Sequence, residues 1–114
     1  MNPKWQVIYY ISPSGDNPVK EFLDDHLSVK LKVFRIFAHI KEFGLQLVIP
    51  HIKKLSGIPL WEIRILGRDN ARIFYAALQN QQILLLHGFI KKTNKTPKKE
   101  IDLSLVRLNE YMRH

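Results

Sequence analysis

The residues of this chain best suited to chemistry are cations near the ends of successive β-like runs, a pattern that matches a phosphate ligand. Alternate residues of a strand share a face, so Arg64 points away from the more apolar face of its run, LWEIRIL. Arginine presents a fork of N–H donors to two phosphate oxygens, and several cations together offset the charge of a phosphodiester. The cations expected to form this basic surface are Arg72, Lys91, Lys92 and Arg64.

The same spacing also fits a structural role for the two arginines. Arg64 would then pair with Glu62 or Asp69, and the aliphatic stem of Arg72 would lie over the sheet. Spacing alone favours neither role.

Lysines are concentrated directly after the most apolar segment, QILLLHGFI, with five of them from Lys91 to Lys99. Lys98 and Lys99 fall in the first turn of a predicted helix, where the helix dipole disfavours a cation by about a few tenths of a kcal/mol. Residues placed against a local preference indicate function, so we expect these lysines to meet a ligand.

His87 is the natural candidate for proton transfer, since the unperturbed pKa of histidine is about 6.5. It lies within an apolar strand, however, where a histidine is more often a hydrogen-bonded core residue. Metal binding is not predicted, because the five histidines lack close ligand spacing and cysteine is absent. No cofactor is expected.

The aromatic residues of the strands either stack on exposed bases, as in readers of single-stranded RNA, or fill the core, as strand aromatics usually do. Phe74 shares a face with Arg72, two positions away. It is therefore the residue expected to stack on a base.

Composition indicates a small basic globular protein. Its 114 residues suffice for one domain, and the lack of cysteine excludes disulfides, thiolate metal sites and cysteine nucleophiles. The N-terminal apolar stretch is too short for a signal peptide, and no stretch approaches the roughly 20 apolar residues of a membrane span. We expect a soluble, cytoplasmic protein that has no membrane partner.

The net charge of +8 is unevenly distributed. Residues 87–114 carry seven Lys and Arg against three Asp and Glu, whereas residues 1–50 carry six against five. This asymmetry favours a polyanionic partner, nucleic acid ahead of a membrane surface, although many small proteins are basic for solubility alone.

Hydrophobic periodicity predicts seven secondary-structure elements. A strand over Trp5 to Ile11 leads through a turn to Asn17-Pro18, which is typical of a helix start, and this helix runs to about Leu27. A second helix is expected from a cap at Ser28 to Gly44. Short polar links then join three runs in a predicted antiparallel meander. The runs are Leu60 to Leu66, Ala71 to Leu78, and Gln82 to Ile90.

A final helix is predicted after the cap-and-proline pair Thr96-Pro97. Its apolar residues Ile101, Leu105, Leu108 and Met112 recur on one face. The order β-α-α-β-β-β-α indicates an α+β fold in which helices pack on one face of a small antiparallel sheet. One domain over residues 1–114 is expected.

The segments LWEIRI, ARIFYA and LLLHGFIKKTNKTPKKEI, in this order, resemble toxins of the RelE/ParE superfamily and, within it, the phage-derived HigB-type branch. The resemblance covers about Pro18 to Tyr111 and is most specific in HGFIKKTNKTPKKEI. It implies a RelE-like toxin domain.

The resemblance also implies the toxin of a type II toxin–antitoxin pair, held inactive by an antitoxin that often carries a helix-turn-helix domain. Toxins of the RelE and HigB kind cut messenger RNA in the ribosomal A site without a metal. The RNA 2′-hydroxyl attacks the adjacent phosphodiester, so the protein orients the chain and stabilises the pentavalent phosphate. The implied partners are a cognate antitoxin, the ribosome and mRNA.

Roles for single residues follow from the same resemblance. Arg72 matches an arginine that contacts phosphate, and Arg64 matches a strand position where relatives carry a basic residue. Lys91 or Lys92 matches the basic position after the last strand. The residues expected to bind nucleic acid are Lys53, Lys54, Phe74, Lys95, Lys98 and Lys99.

The chain departs from its relatives at the proton-transfer position, where several carry a tyrosine or a histidine. The corresponding stretch here offers Thr93, Asn94 and Thr96, so the candidates are a lysine of lowered pKa, His87, and Tyr111 if the last helix folds over the pocket. Two other functions stay open. One is ParE-type inhibition of DNA gyrase, and the other is an inactive basic adaptor.

Overall fold

A computed structural model describes residues 4–45, 52–65, 67–95 and 97–113. Its strands are β1 (Gln6–Tyr9), β2 (Ile52–Lys54), β3 (Trp61–Ile65), β4 (Ala71–Leu78) and β5 (Gln82–Ile90). Its helices are α1 (Pro18–Asp24), α2 (Leu27–Phe43) and α3 (Lys98–Met112). Thr96, expected to cap the last helix, and Leu66, expected to end a strand, lie outside the described residues.

The strands form a single sheet in the order β1-β5-β4-β3-β2. The predicted antiparallel meander β3-β4-β5 is confirmed, but β1 pairs with β5 in parallel, so the sheet is mixed rather than purely antiparallel. The edge strand β2 was not predicted. It is three residues long and largely exposed, so its sequence carries no apolar alternation that would mark a strand.

Helices cover both faces of the sheet, which corrects the expectation that they pack on one. α1 and α2 bury Leu23 and Phe37 against one face, whereas Leu105 of α3 packs against the other. β4 and β5 are apolar on both faces, so each face needs a cover. The α+β class is confirmed. Met112, expected on the buried side of the last helix, is exposed.

An irregularity in the β4–β5 pairing decides which way His87 points. Phe74 lies opposite His87, but the next residue, Tyr75, lies opposite Leu85, so Leu86 is an extra residue on β5. This bulge puts two consecutive residues on the face that α3 covers, and both hydrogen-bond to side chains of that helix. Strict alternation would have directed His87 toward α1 and α2.

The two helices on the first face begin differently from each other. The side chain of Asn17 caps α1, as expected. α2 begins at Leu27 with His26 at the cap position, so Ser28 lies inside the helix and is not its cap. The Ser28 hydroxyl instead donates a hydrogen bond of 2.9 Å to Asp69 in the β3–β4 loop.

None of the described helices combines the length and the apolar character needed to cross a lipid bilayer.

Gly88 lets α1 approach β5 closely, and this contact predicts a stability effect. A Cβ at Gly88 would lie 2.5 Å from Cδ2 of Phe22, so the ring would have to move. We expect Gly88→Ala to lower the free energy of unfolding by about 1–3 kcal/mol in urea titrations.

The control is the same change in a Phe22→Ala background, where the added methyl meets no ring and should cost less. An equal loss in both backgrounds would show that the ring is not the cause.

Candidate nucleic-acid interface

Strands β2 to β5 present polar and aromatic side chains on the face that α3 covers. Antiparallel register sets Arg64 opposite Arg72, and Arg72 opposite Phe89, so these three side chains share that face, as expected for the arginines. In the next row Lys53 is opposite Glu62. The residues of this surface, here called the arginine face, are Lys53, Glu62, Arg64, Arg72, Phe74, His87 and Phe89.

A buried carboxylate separates the two arginines. Oε1 of Glu62 accepts a hydrogen bond of 3.2 Å from Nε of Arg64 and lies 3.4 Å from Nε of Arg72. The second contact is an ion pair without hydrogen-bond alignment. Like charges directly opposite each other destabilise a sheet, and Glu62, whose side chain is only 2% exposed, offsets that repulsion. The three side chains together carry a net charge of about +1 at neutral pH.

The two arginines differ in how far their side chains are exposed to solvent. Both arginines direct Nε at the carboxylate, and Nη1 of Arg72 donates to the carbonyl oxygen of Ala71 at 3.1 Å. The Arg64 side chain is 39% exposed, whereas that of Arg72 is 12% exposed. The expected pairing of Arg64 with Glu62 is therefore confirmed. Contact with a phosphate stays a prediction, and Arg64 is the more exposed of the two arginines.

His87 is held between two residues of α3. Its Nε2 lies 3.0 Å from Oε1 of Glu100, and Nη1 of Arg107 lies 3.3 Å from its Nδ1. Since arginine only donates, Nδ1 accepts, and the hydrogen of the neutral ring is on Nε2. Burial lowers the pKa of His87, the charge of Arg107 lowers it further, and the hydrogen bond and charge of Glu100 act in the opposite direction without overcoming burial. His87 is thus a neutral residue whose ring is held in place by Glu100 and Arg107.

The lysine segment after β5 is tied to the β3–β4 loop through its backbone. The main chain of Lys91 donates to the carbonyl oxygen of Asn70 at 3.0 Å and accepts from the Asn70 side chain at 2.8 Å. Lys95 is exposed in the loop, and Lys98 is exposed 4.0 Å from Asp102. These positions place positive charge in solvent at the end of β5.

A groove of about 500 Å³ lies beside this segment and adjoins the arginine face at Phe89. Lys92 and Lys99 line it together with Glu100, and the ring of Phe22 forms part of its opposite wall. We call it the β5 groove. It joins two of the expected lysines to the face that carries both arginines.

Other expected residues are not brought to this place. Phe74 is fully buried and packs edge-on against Phe89 with 5.0 Å between ring centroids, so its expected stacking on a base is wrong for this conformation. The reason is that α3 covers its face. Lys54, next to Lys53 on β2, points to the other face and donates to the carbonyl oxygens of Leu55 and Ile58.

Tyr111 also lies away from the groove. It lines a separate cavity with Tyr10 and Glu110, whereas Glu100 is in the first turn of the same helix. Eleven helical residues span about 16 Å, so α3 carries these two side chains at opposite ends. Tyr111 and the arginine pair are not brought together.

Glu100 and Arg107 were missed in the sequence. Their spacing of seven residues places them on one side of a helix, two turns apart, and this was the available signal. It became meaningful only once the bulge turned His87 toward them. Among the described residues, no group of three or more His, Asp or Glu side chains converges in a way that would hold a metal ion.

Comparison with known proteins gives one family. The model of the family described as Phage derived protein Gp49-like (DUF891) matches residues 20–109, which include α2, the whole sheet except β1, and most of α3. No curated protein matches the chain.

Removing the Glu62 carboxylate should destabilise the fold. Glu62→Gln leaves two neighbouring guanidinium groups without their anion, and we expect the free energy of unfolding in urea to fall by about 2 kcal/mol. Glu42→Gln removes one partner of the exposed Lys4–Glu42 pair and should change it by less than about 0.5 kcal/mol. Similar values for the two variants would mean that the buried carboxylate does not stabilise the arginine pair.

The lowered pKa of His87 predicts a pH dependence of stability. Below the unfolded-state pKa of 6.5 the unfolded chain takes up a proton at this residue more readily than the folded chain, so stability is complete above that pH and declines as the pH falls. The urea midpoint of the wild type should therefore drop between pH 7.5 and pH 5.5 by more than that of His87→Gln. His39→Gln on α2 is the control and should keep the wild-type drop.

Proposed function

The chain belongs to the phage-derived Gp49-like family, which lies within the RelE/ParE-like toxin superfamily, and from this premise we propose that it is the toxin of a type II toxin–antitoxin pair. We propose further that it acts as a ribosome-dependent mRNA endonuclease that needs no metal. The observation that carries the proposal is the pair Arg64 and Arg72, which lie opposite each other on neighbouring strands beside one carboxylate, with the Arg64 side chain 39% exposed.

This pair suits a phosphodiester. The fork of Arg64, the more exposed arginine, would offer N–H donors to the oxygens of one phosphate, and Arg72 beside it would add positive charge as negative charge grows on those oxygens. Glu62 accepts a hydrogen bond from Nε of Arg64 and forms an ion pair with Arg72, whose Nη1 donates to the carbonyl oxygen of Ala71, so both guanidinium groups are oriented before RNA arrives. Preorganised donors of this kind stabilise a transition state more than a ground state.

The proposed reaction is a transesterification within RNA. The 2′-hydroxyl loses its proton, its oxygen bonds to phosphorus, and the bond from phosphorus to the 5′-oxygen breaks as that oxygen gains a proton. The products are a 2′,3′-cyclic phosphate and a 5′-hydroxyl end. Arg72 and Arg64 would stabilise the pentavalent phosphate, with Lys91 and Lys92 adding positive charge near the chain.

Placement of the proton-transfer candidates supports dependence on the ribosome. Both ring nitrogens of His87 are engaged by α3, and Tyr111 lies at the far end of that helix. His87 shares the arginine face, but in the described part of the chain both of its ring nitrogens already have partners, and Tyr111 is not brought to that face. A contribution from ribosomal RNA, or a geometry imposed on the message by the A site, would complete the reaction.

Exposed lysines would supply the less specific part of binding. Lys53 lies on the arginine face, and Lys95 and Lys98 lie in solvent near the β5 groove. Their contacts with RNA backbone would depend on charge and weaken as salt increases. The proposed partner that restrains the toxin is a cognate antitoxin, expected to be of the helix-turn-helix type.

The test is to change the arginine pair and measure both growth and RNA cleavage. Arg72→Ala should relieve growth arrest and lower cleavage in a cell-free translation system by about 10²-fold or more, because a positioned donor to the phosphate is lost. Arg72→Lys keeps the charge but not the fork and should restore only part of the activity. Arg35→Ala, an exposed arginine of α2 on the opposite side of the sheet, is the matched control and should behave as the wild type.

Mapping of 5′ ends distinguishes the mechanisms. Cuts should occur on translated messages only, and their ends should need phosphorylation before ligation, since the products carry 5′-hydroxyl groups. Cuts on naked RNA would overturn ribosome dependence. Intact messages with broken DNA would instead indicate gyrase inhibition, and arrest by Arg72→Ala equal to that of the wild type would remove the arginine pair from the mechanism.

A further inference from the structure

The β5 groove lies along an open edge of the sheet. β1 pairs with β5 only at residues 82–85, so among the described residues no strand pairs with that edge over residues 86–90. The junction of α1 and α2 lies on one side of this edge, and the first turn of α3 lies on the other. The groove therefore opens between two helical layers at the end of the strand that carries Phe89.

Aromatic rings form the walls of the groove. Phe22 packs against the backbone of Gly88 and contacts His26 in a tilted arrangement, with 4.4 Å between ring centroids and an interplanar angle of 33°. On the other side Phe89 is stacked on His87 at 5.5 Å and an interplanar angle of 17°. Flat apolar walls beside a basic face suit a nucleobase, since RNA bases that are not paired stack on aromatic side chains.

Glu100 supplies a polar group of defined orientation in these walls. Its Oε1 is 3.0 Å from Nε2–H of His87, and within the described residues no hydrogen bond to its Oε2 is found. A carboxylate accepts hydrogen bonds and donates none. Guanine is the RNA base whose Watson–Crick edge presents two adjacent donors, N1–H and N2–H₂, so the two acceptor oxygens of Glu100 fit guanine better than any other base.

The cations of the groove connect this base to the phosphate of the proposed reaction. Lys92 and Lys99 line the groove and would meet the backbone of a bound nucleotide. Phe89, one of the residues that line the groove, lies directly opposite Arg72 in the sheet, so a base in the groove would have its phosphate close to the arginine face.

We propose that the β5 groove is a base-binding subsite that selects guanine, with Glu100 as the specificity-determining residue and with Phe22 as the stacking surface. This inference deepens the proposed function, because it names a base preference for the same interface. His87 acts in it as a positioning residue, and Arg107 holds His87 in the tautomer that donates to Glu100.

The experiment measures binding of single nucleotides to the whole chain, without ribosomes. The ¹⁵N-labelled protein is titrated with GMP, AMP, CMP and UMP, and amide shifts of residues 86–100 are followed. GMP should bind at least about 10-fold more tightly than AMP, as expected for one bidentate contact to a base edge. Equal affinities for the four nucleotides, or no shifts at any concentration up to about 10 mM, would overturn the proposal, since a selective site should reach this range.

Variants separate the reading of the base from stacking. Glu100→Gln keeps an oxygen for His87 but replaces the other acceptor with an N–H donor, so GMP should weaken and AMP, which glutamine contacts well, should strengthen. Phe22→Leu should weaken all four nucleotides and leave their ratio unchanged. Asp102→Asn makes the same chemical change on an exposed residue of α3 and should have no effect. An unchanged GMP to AMP ratio in Glu100→Gln would exclude Glu100 as the selector.

Failure of this inference differs from failure of the proposed function. Binding of nucleotides needs no cleavage, so a guanine preference can be found even in a protein that cuts nothing. Conversely, if ribosome-dependent cuts are found without guanine enriched beside them, and if GMP shows no preference, the nuclease stands and the guanine subsite does not.

Discussion

The interface depends on one buried carboxylate between two arginines. Without Glu62, Arg64 and Arg72 would repel each other across adjacent strands, and each guanidinium would turn toward solvent or another acceptor. With it, Arg64 is hydrogen-bonded and Arg72 is ion-paired to the same carboxylate oxygen. Taking these charges partly out of water is costly, so the arrangement is weak evidence of stability and stronger evidence of a site that needs oriented cations.

The carboxylate of Glu62 also limits the net positive charge of the arginine pair. Neutralising one of two positive charges keeps the pair from repelling itself, yet leaves an excess that a phosphate can satisfy. Further cations are Lys53 on the edge strand and the lysines that follow β5. For the proposed RNA partner, these lysines would attract the chain by charge and the arginine pair would provide the oriented contacts.

The shape of the β5 groove depends on two features of β5. Its bulge turns His87 toward α3, where Glu100 and Arg107 hold the ring in one tautomer. Gly88 then leaves room for Phe22 on the other side of the strand. His87 and Gly88 thus shape the two walls of the β5 groove. The side chain of His87 is turned toward α3, and the absence of a side chain at Gly88 makes room for Phe22.

The sequence by itself determined the features that depend on local periodicity. These are the meander, the cap at Asn17, and the shared face of Arg64 and Arg72, because strand alternation and helix capping involve residues close along the chain. The apolar character of β5 is also visible in the sequence, and it corresponds to the presence of helices on both faces of the sheet.

Only the tertiary structure decided what surrounds each of those side chains. Phe74 shares a strand face with Arg72, but α3 covers that face and Phe74 is buried. His87 contacts Glu100 and Arg107, which lie 13 and 20 positions further along the chain. The parallel pairing of β1 with β5 also joins the first strand of the chain to the last strand. These contacts join segments far apart in sequence, and the packing of whole helices and strands, rather than any local preference, determines which of them form.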